Sequence, residues 1–172
     1  MGEPKRKYKP RETTKNTYKI LLSQGKETVI DGDDVLKVLN YKWHHSYGYA
    51  VGSCIGDDGK RRTIFLHRVI MDTPEGMFTD HINGDRLDNR KSNLRICTMQ
   101  QNAFNRKDRK NKTGFRGVSF HPTKRGTKKY EASIRVDGIK KFIGLFSTPE
   151  EAARAYDEKA KIIHGDFYYG ES

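Results

Sequence analysis

The stretch Thr79-Asp80-His81-Ile82-Asn83-Gly84-Asp85, continued to Thr98-Met99-Gln100-Gln101-Asn102, constrains this chain more than any other part of it. Thr79 to Ile82 reads as a strand, Asn83-Gly84-Asp85 is a strong turn signal, and Leu94-Arg95-Ile96-Cys97 alternates apolar and polar as a second strand. Thr98 with Gln101 three residues later is a capping-box signature, so a helix begins there and carries Asn102 in its first turns. The expected unit is strand, loop, strand, helix. It sets an adjacent carboxylate and imidazole before a polar loop, an arrangement able to hold one hard cation and one general base against a phosphodiester.

With Leu87-Asp88-Asn89-Arg90 and Ser92-Asn93-Leu94-Arg95 lying between, the stretch resembles the HNH nuclease motif, in the phage and homing-endonuclease branch where the last His is replaced by Asn. The resemblance covers roughly Leu66 to Arg106 and implies a ββα-metal unit that forms the whole catalytic site. It makes His81 the general base, with an ordinary pKa near working pH, and Asp80 a metal ligand. Asn93 would hold the loop and orient His81, and Asn102 would supply the second protein ligand. A carboxylate, an amide oxygen and several waters suit Mg²⁺ or Mn²⁺. Products with 5′-phosphate and 3′-hydroxyl ends follow by the same resemblance. An Asp-His pair beside Asn-Gly is, alone, usually a turn with a satisfied histidine; Asn93, Leu94-Arg95 and Asn102 at matching spacing set this one apart. His67, in Phe65-Leu66-His67-Arg68-Val69-Ile70-Met71, is open between a structural role and a substrate contact. His44 and His45, beside Trp43, read as core or surface residues.

A second set of motifs begins at Asn111. Asp137-Gly138 between Tyr130 to Val136 and Ile139 to Phe146 is a two-residue hairpin signal, and pairing across it aligns Val136 with Ile139, Ile134 with Lys141, and Ala132 with Ile143. Ser133 and Arg135 then lie opposite Phe142 and Lys140 on the other face. Thr148-Pro149-Glu150-Glu151 starts a capped helix with Gly165 as its stop. Ala152, Ala155, Tyr156, Ala160 and Ile163 recur at helical spacing to cover the apolar sheet face. Together with Gly114-Phe115-Arg116-Gly117-Val118, these segments look like an Apetala-type (ethylene-response-factor) DNA-binding domain over about Thr113 to Phe167. That resemblance maps base contacts onto Arg116, Ser119, Ser133, Arg135, Lys140 and Phe142. Ser119, Ser133 and Phe142 depart from the plant pattern, so no target sequence is borrowed.

Charge agrees. Residues 106–141 hold thirteen Lys or Arg against three Asp or Glu, and residues 142–172 hold three against six. The sheet side is therefore expected to face double-stranded DNA and the helix side to face away. The formal net charge of +12 over 172 residues makes nucleic acid the first partner to consider. Cys54 and Cys97 form no metal-ligand pair and no disulfide framework. No apolar run approaches a membrane span and Gly2 to Arg11 carries no signal-peptide core, so a cytoplasmic location in a prokaryotic or phage-infected cell is expected.

The expected architecture is α+β: a basic, disordered tail (1–17), a β-rich leader and HNH unit (18–105), a basic linker (106–112) in which Lys110 follows the DNA backbone, and a three-stranded antiparallel sheet backed by one helix (113–172). In the leader, Tyr18 to Leu22, Thr28 to Ile30, Tyr47 to Ile55 and Arg61 to Phe65 read as strands, and Asp33 to Leu39 as a short helix. Asp31, Asp33 and Asp34 lack the pattern of a calcium loop and read as cap and turn. Trp43, Tyr47 and Tyr49 are expected to pack a small core. The functional expectation is a monomeric, metal-dependent site-specific DNA endonuclease, a nickase because one chain carries one active centre. The alternatives are a non-catalytic DNA-binding regulator on an inactive HNH scaffold, and an RNA-binding module.

Overall fold

The computed structural model describes residues 10–104, 111–122 and 128–168, and the chain divides into two compact units, Met1–Asn102 and Ala103–Ser172. The first unit opens with β1 (Arg11–Thr14), β2 (Thr17–Leu21) and β3 (Glu27–Asp31), antiparallel and in that order. β1 lies in the stretch expected to be tail. All four of its residues are exposed, so no alternation of apolar residues marks it, and pairing of Arg11 with Lys19 and Glu12 with Tyr18 orders it. A 3-10 turn at Gly32–Asp34 leads into the short α1 (Val35–Val38).

The second sheet holds β4 (His44–Ser46), β5 (Tyr49–Ile55) and β6 (Arg61–Phe65). Tyr47 and Gly48, with φ of 50° and 84°, make the two-residue turn between β4 and β5. Tyr47 is thereby held at a hairpin tip and is 92% exposed, contrary to its expected place in the core. α2 (Leu66–Ile70) follows β6 directly, and then come β7 (Phe78–His81), β8 (Leu94–Cys97) and α3 (Met99–Phe104).

One core joins these pieces: Ile20 and Ile30 from the first sheet, Trp43 and Ala50, Leu66 and Ile70 of α2, and Leu94 of β8. Each large apolar side chain so buried contributes about 1.5–3 kcal/mol. The Trp43 indole also donates from Nε1 to the Val38 carbonyl at 2.9 Å, so its one polar group is satisfied in the interior. Leu94 matters most for the site, because it anchors the strand beside which the loop after His81 returns.

The second unit is a sheet of β9 (Val118–Pro122), β10 (Lys128–Val136) and β11 (Ile139–Phe146) in the order β11-β10-β9, followed by α4 (Pro149–His164). Asp137 and Gly138, both at positive φ, turn the hairpin. Val136 faces Ile139, Ile134 faces Lys141 and Ser133 faces Phe142, but Ala132 faces Gly144 and not the expected Ile143. An irregularity between Ala132 and Ser133 inserts Ile143 as an extra residue in β11, and a local bulge of this kind leaves no mark in hydrophobic alternation. Thr148 and Glu151 form the full capping box of α4, which buries Ala152, Tyr156 and Ala160 against Val118, Ala132 and Ile134. Gly117 is required by that packing: at φ +67°, a Cβ there would fall 2.0 Å from the Tyr156 ring. The expected linker falls largely outside the described residues, Lys110 included. Among the described residues no helix is long and apolar enough to cross a membrane.

Candidate active site

Pairing between β7 and β8 sets Asp80 opposite Arg95 and His81 opposite Leu94. Arg95 donates from Nε and Nη2 to Oδ2 of Asp80, at 2.9 and 2.7 Å. Both side chains are largely withdrawn from water, the carboxylate 8% and the guanidinium 15% exposed.

His81 is 5% exposed. Its Nε2 lies 3.1 Å from Oδ1 of Asn89, and its ring meets that of His67 edge to face with centroids 5.0 Å apart. Burial pulls the His81 pKa below the ordinary value, against the opposing influence of the Asn89 hydrogen bond and the carboxylates of Asp80, Asp85 and Asp88. Burial thereby favours the neutral imidazole, the form a general base needs. His67 is pushed down to about 3, by burial first and then by the charges of His81 and Arg68. Tyr49 touches both histidine rings and carries the Arg86 guanidinium 4.6 Å above its own.

The loop after His81 is held by its own polar side chains. Gly84 donates to the His81 carbonyl, Asn83 Oδ1 accepts from Asp85 N at 2.7 Å, and Asp85 Oδ1 accepts from Leu87 N at 3.0 Å. Asn93 clamps the loop from both ends, accepting from Asn83 N at 2.9 Å and donating to the Asp88 carbonyl at 2.8 Å. Asn89, a residue to which the motif assigned no role, sets its amide oxygen against the His81 ring. Asn89 is fully buried and donates from Nδ2 to Thr28 Oγ1 at 2.7 Å. Residues 87–89 run parallel to β3, with Val29 N on the Leu87 carbonyl at 2.9 Å and Asn89 N on the Val29 carbonyl at 2.8 Å. The acidic cluster also serves this loop. Lys91 donates its backbone N–H to Asp31 at 2.8 Å and sets its ammonium 2.8 Å from the fully buried Asp34.

Asn102 sits in α3, half-buried, behind the expected capping box. Thr98 N donates to Gln101 Oε1 at 2.9 Å and Gln101 N donates to Thr98 Oγ1 at 3.2 Å. Among the described residues no three His, Cys, Asp or Glu side chains cluster to hold a metal ion. One carboxylate and one amide oxygen, Asp80 and Asn102, nonetheless have the hard-donor chemistry of a divalent ion that keeps much of its water and shares phosphate oxygens. Arg95 takes one oxygen of that carboxylate.

In the second unit the residues expected to meet DNA divide. Ser119, Arg135, Lys140 and Phe142 are exposed and Ser133 is half-buried. Lys140 is paired with Glu131 at 2.6 Å and Arg135 donates to the Gly138 carbonyl at 3.0 Å. Arg116 turns inward, donating to the Phe104 carbonyl at 3.0 Å and the Ala103 carbonyl at 3.5 Å. It closes the end of α3, where orphan carbonyls need a donor.

β7 and β8 thus carry Asp80 and the buried His81, Asn93 clamps the polar loop between them, and the capped α3 follows. The family model described as HNH endonuclease matches residues 65–104, which contain all of these elements. The chain is also 33% identical, over 180 aligned positions covering 96% of it and 92% of the relative, to a protein of Acanthamoeba polyphaga mimivirus named an uncharacterized HNH endonuclease. The chain therefore belongs to the HNH endonuclease family, and it is a DNA endonuclease. The C-terminal sheet and helix lie beyond the segment that the family model matches. No solved structure matches the chain.

Proposed function

We propose that the chain is a metal-dependent nickase, cutting one strand of duplex DNA at a preferred site with Mg²⁺ or Mn²⁺ and leaving 5′-phosphate and 3′-hydroxyl ends. The observation that carries this reading is the setting of His81: buried and hydrogen-bonded at Nε2 by Asn89, next in sequence to a carboxylate. In it, His81 takes a proton from the attacking water, and Asn93 keeps the loop in the conformation that presents the imidazole. Asp80 and Asn102 would hold the ion, which would supply charge neutralisation at the phosphate and the leaving oxygen. Arg95 restrains the Asp80 carboxylate, so its rotamer is set before substrate arrives.

The C-terminal sheet would locate the site as an Apetala-type module, with Ser119, Ser133, Arg135, Lys140 and Phe142 on its outer face. One active centre per chain gives a nick from a monomer. Double-strand cutting would require a second protomer or a second binding event.

Relaxation of supercoiled plasmid tests the reading. Wild type should yield nicked circles with Mg²⁺ or Mn²⁺, none with chelator, and 5′-phosphate ends. His81→Ala should lose about 10²–10⁴-fold in rate with DNA affinity nearly unchanged. A wild-type protein that binds duplex but leaves it intact with every divalent ion would be a DNA-binding regulator.

A further inference from the structure

We propose that Thr28, in β3 and outside the matched family segment, is a positioning residue for the nuclease reaction: acting through Asn89, it holds the His81 ring in one orientation and one tautomer, with the proton on Nε2 and the lone pair on Nδ1. This rests on His81 being the base.

Hydrogen-bond accounting at two backbone carbonyls sets the direction of the chain. A carbonyl only accepts, so the Thr28 hydroxyl spends its single proton on the Leu87 carbonyl, 2.8 Å away. Oγ1 must then accept from Asn89, and the atom of Asn89 facing it, at 2.7 Å, is Nδ2. The same Nδ2 points at a second carbonyl, that of Arg86, at 3.4 Å. The amide is thus oriented from both sides and turns Oδ1 to His81. An amide oxygen only accepts, so Nε2 of His81 carries the proton at their 3.1 Å contact. In the neutral ring Nδ1 is then the basic nitrogen.

Thr28 and Asn89 are both fully buried, so no water can substitute for a lost partner cheaply. Turning the Asn89 amide over would set its oxygen against the Arg86 carbonyl and leave Oγ1 of Thr28 without a donor. The tautomer with its proton on Nδ1 would set two lone pairs against each other at Nε2. Backbone bonds of Val29 to Leu87 and Asn89 fix the separation of the two segments, so the first sheet supplies a part of the active site that the motif does not contain.

The test uses the full chain. Long-range ¹⁵N–¹H correlation of wild type should show His81 as the Nε2–H tautomer; an Nδ1–H tautomer overturns the proposal without any variant. Thr28→Val removes the hydroxyl at nearly constant shape and should mix the tautomers. It should lower kcat by about tenfold or more, as loss of tautomer control does elsewhere, with KM and duplex affinity unchanged. Thr28→Ser should restore both spectrum and rate. Wild-type kcat and an unchanged His81 spectrum in Thr28→Val would overturn the relay while leaving the nuclease reading intact. An Nε2–H tautomer that responds to Thr28→Val, in a protein whose wild type never nicks, would instead overturn the nuclease reading.

Discussion

The imidazoles of His67 and His81 meet edge to face 5.0 Å apart, and Tyr49 and Phe65 close on His67 at 5.4 and 5.5 Å. A cation in this position would stand directly against the candidate base. The aromatic wall keeps His67 neutral, and so keeps one positive charge out of the site.

That neutrality has a pH signature. The folded pKa of His67 is lowered from 6.5 to about 3, so below pH 6.5 the unfolded chain binds the proton that the folded chain refuses. Its contribution to stability is complete above that value and is lost as pH falls toward 3, at about 1.4 kcal/mol per pH unit. Urea unfolding between pH 7 and pH 4 should show this slope, and His67→Phe should reduce it by the equivalent of about one proton. An equal slope in both proteins would place the titrating group elsewhere.

Arg95→Met should destabilise the first unit by about 3–5 kcal/mol, because it strands the Asp80 carboxylate in a largely buried position. Adding Asp80→Asn to Arg95→Met should recover part of that loss. Thermal melts of both single variants and the double variant measure the coupling; strictly additive losses would mean the two groups do not interact in solution.

Asp80→Ala should be inactive at every Mg²⁺ concentration. Asn102→His should keep measurable nicking and shift metal preference toward ions that favour imidazole. Nicking assays across a metal series decide it. If Asn102→His is as dead as Asp80→Ala with its fold intact, Asn102 packs or caps and does not ligate.

In the second unit, Arg116→Ala should cost about 1.5–3 kcal/mol of stability, the worth of hydrogen bonds from a charged donor, since its guanidinium serves the Phe104 and Ala103 carbonyls. Phe142→Ala and Arg135→Ala alter exposed side chains and should weaken duplex binding with the melting temperature unchanged. Melting curves beside binding over a salt series separate the two classes. A Phe142→Ala variant that binds like wild type would remove the sheet face from DNA recognition.

Local chemistry was legible in the residues themselves. The capping boxes at Thr98 and Thr148 and the turns at Asn83-Gly84 and Asp137-Gly138 each depend on contacts within a few positions, and each forms where its residue types demand. Asp80, His81, Asn93 and Asn102 could be singled out because the segment that holds them resembles the HNH motif. Tertiary structure alone decided the rest. Register across β7 and β8 gives Asp80 to Arg95, and a bulge moves Ala132 from Ile143 to Gly144. Arg116 turns from a sheet face to the end of α3. The Thr28 hydroxyl reaches Asn89 across 61 positions of chain, and through it His81. Pairing and burial between distant segments set these contacts, and residue type carries no record of which distant partner will satisfy a buried donor.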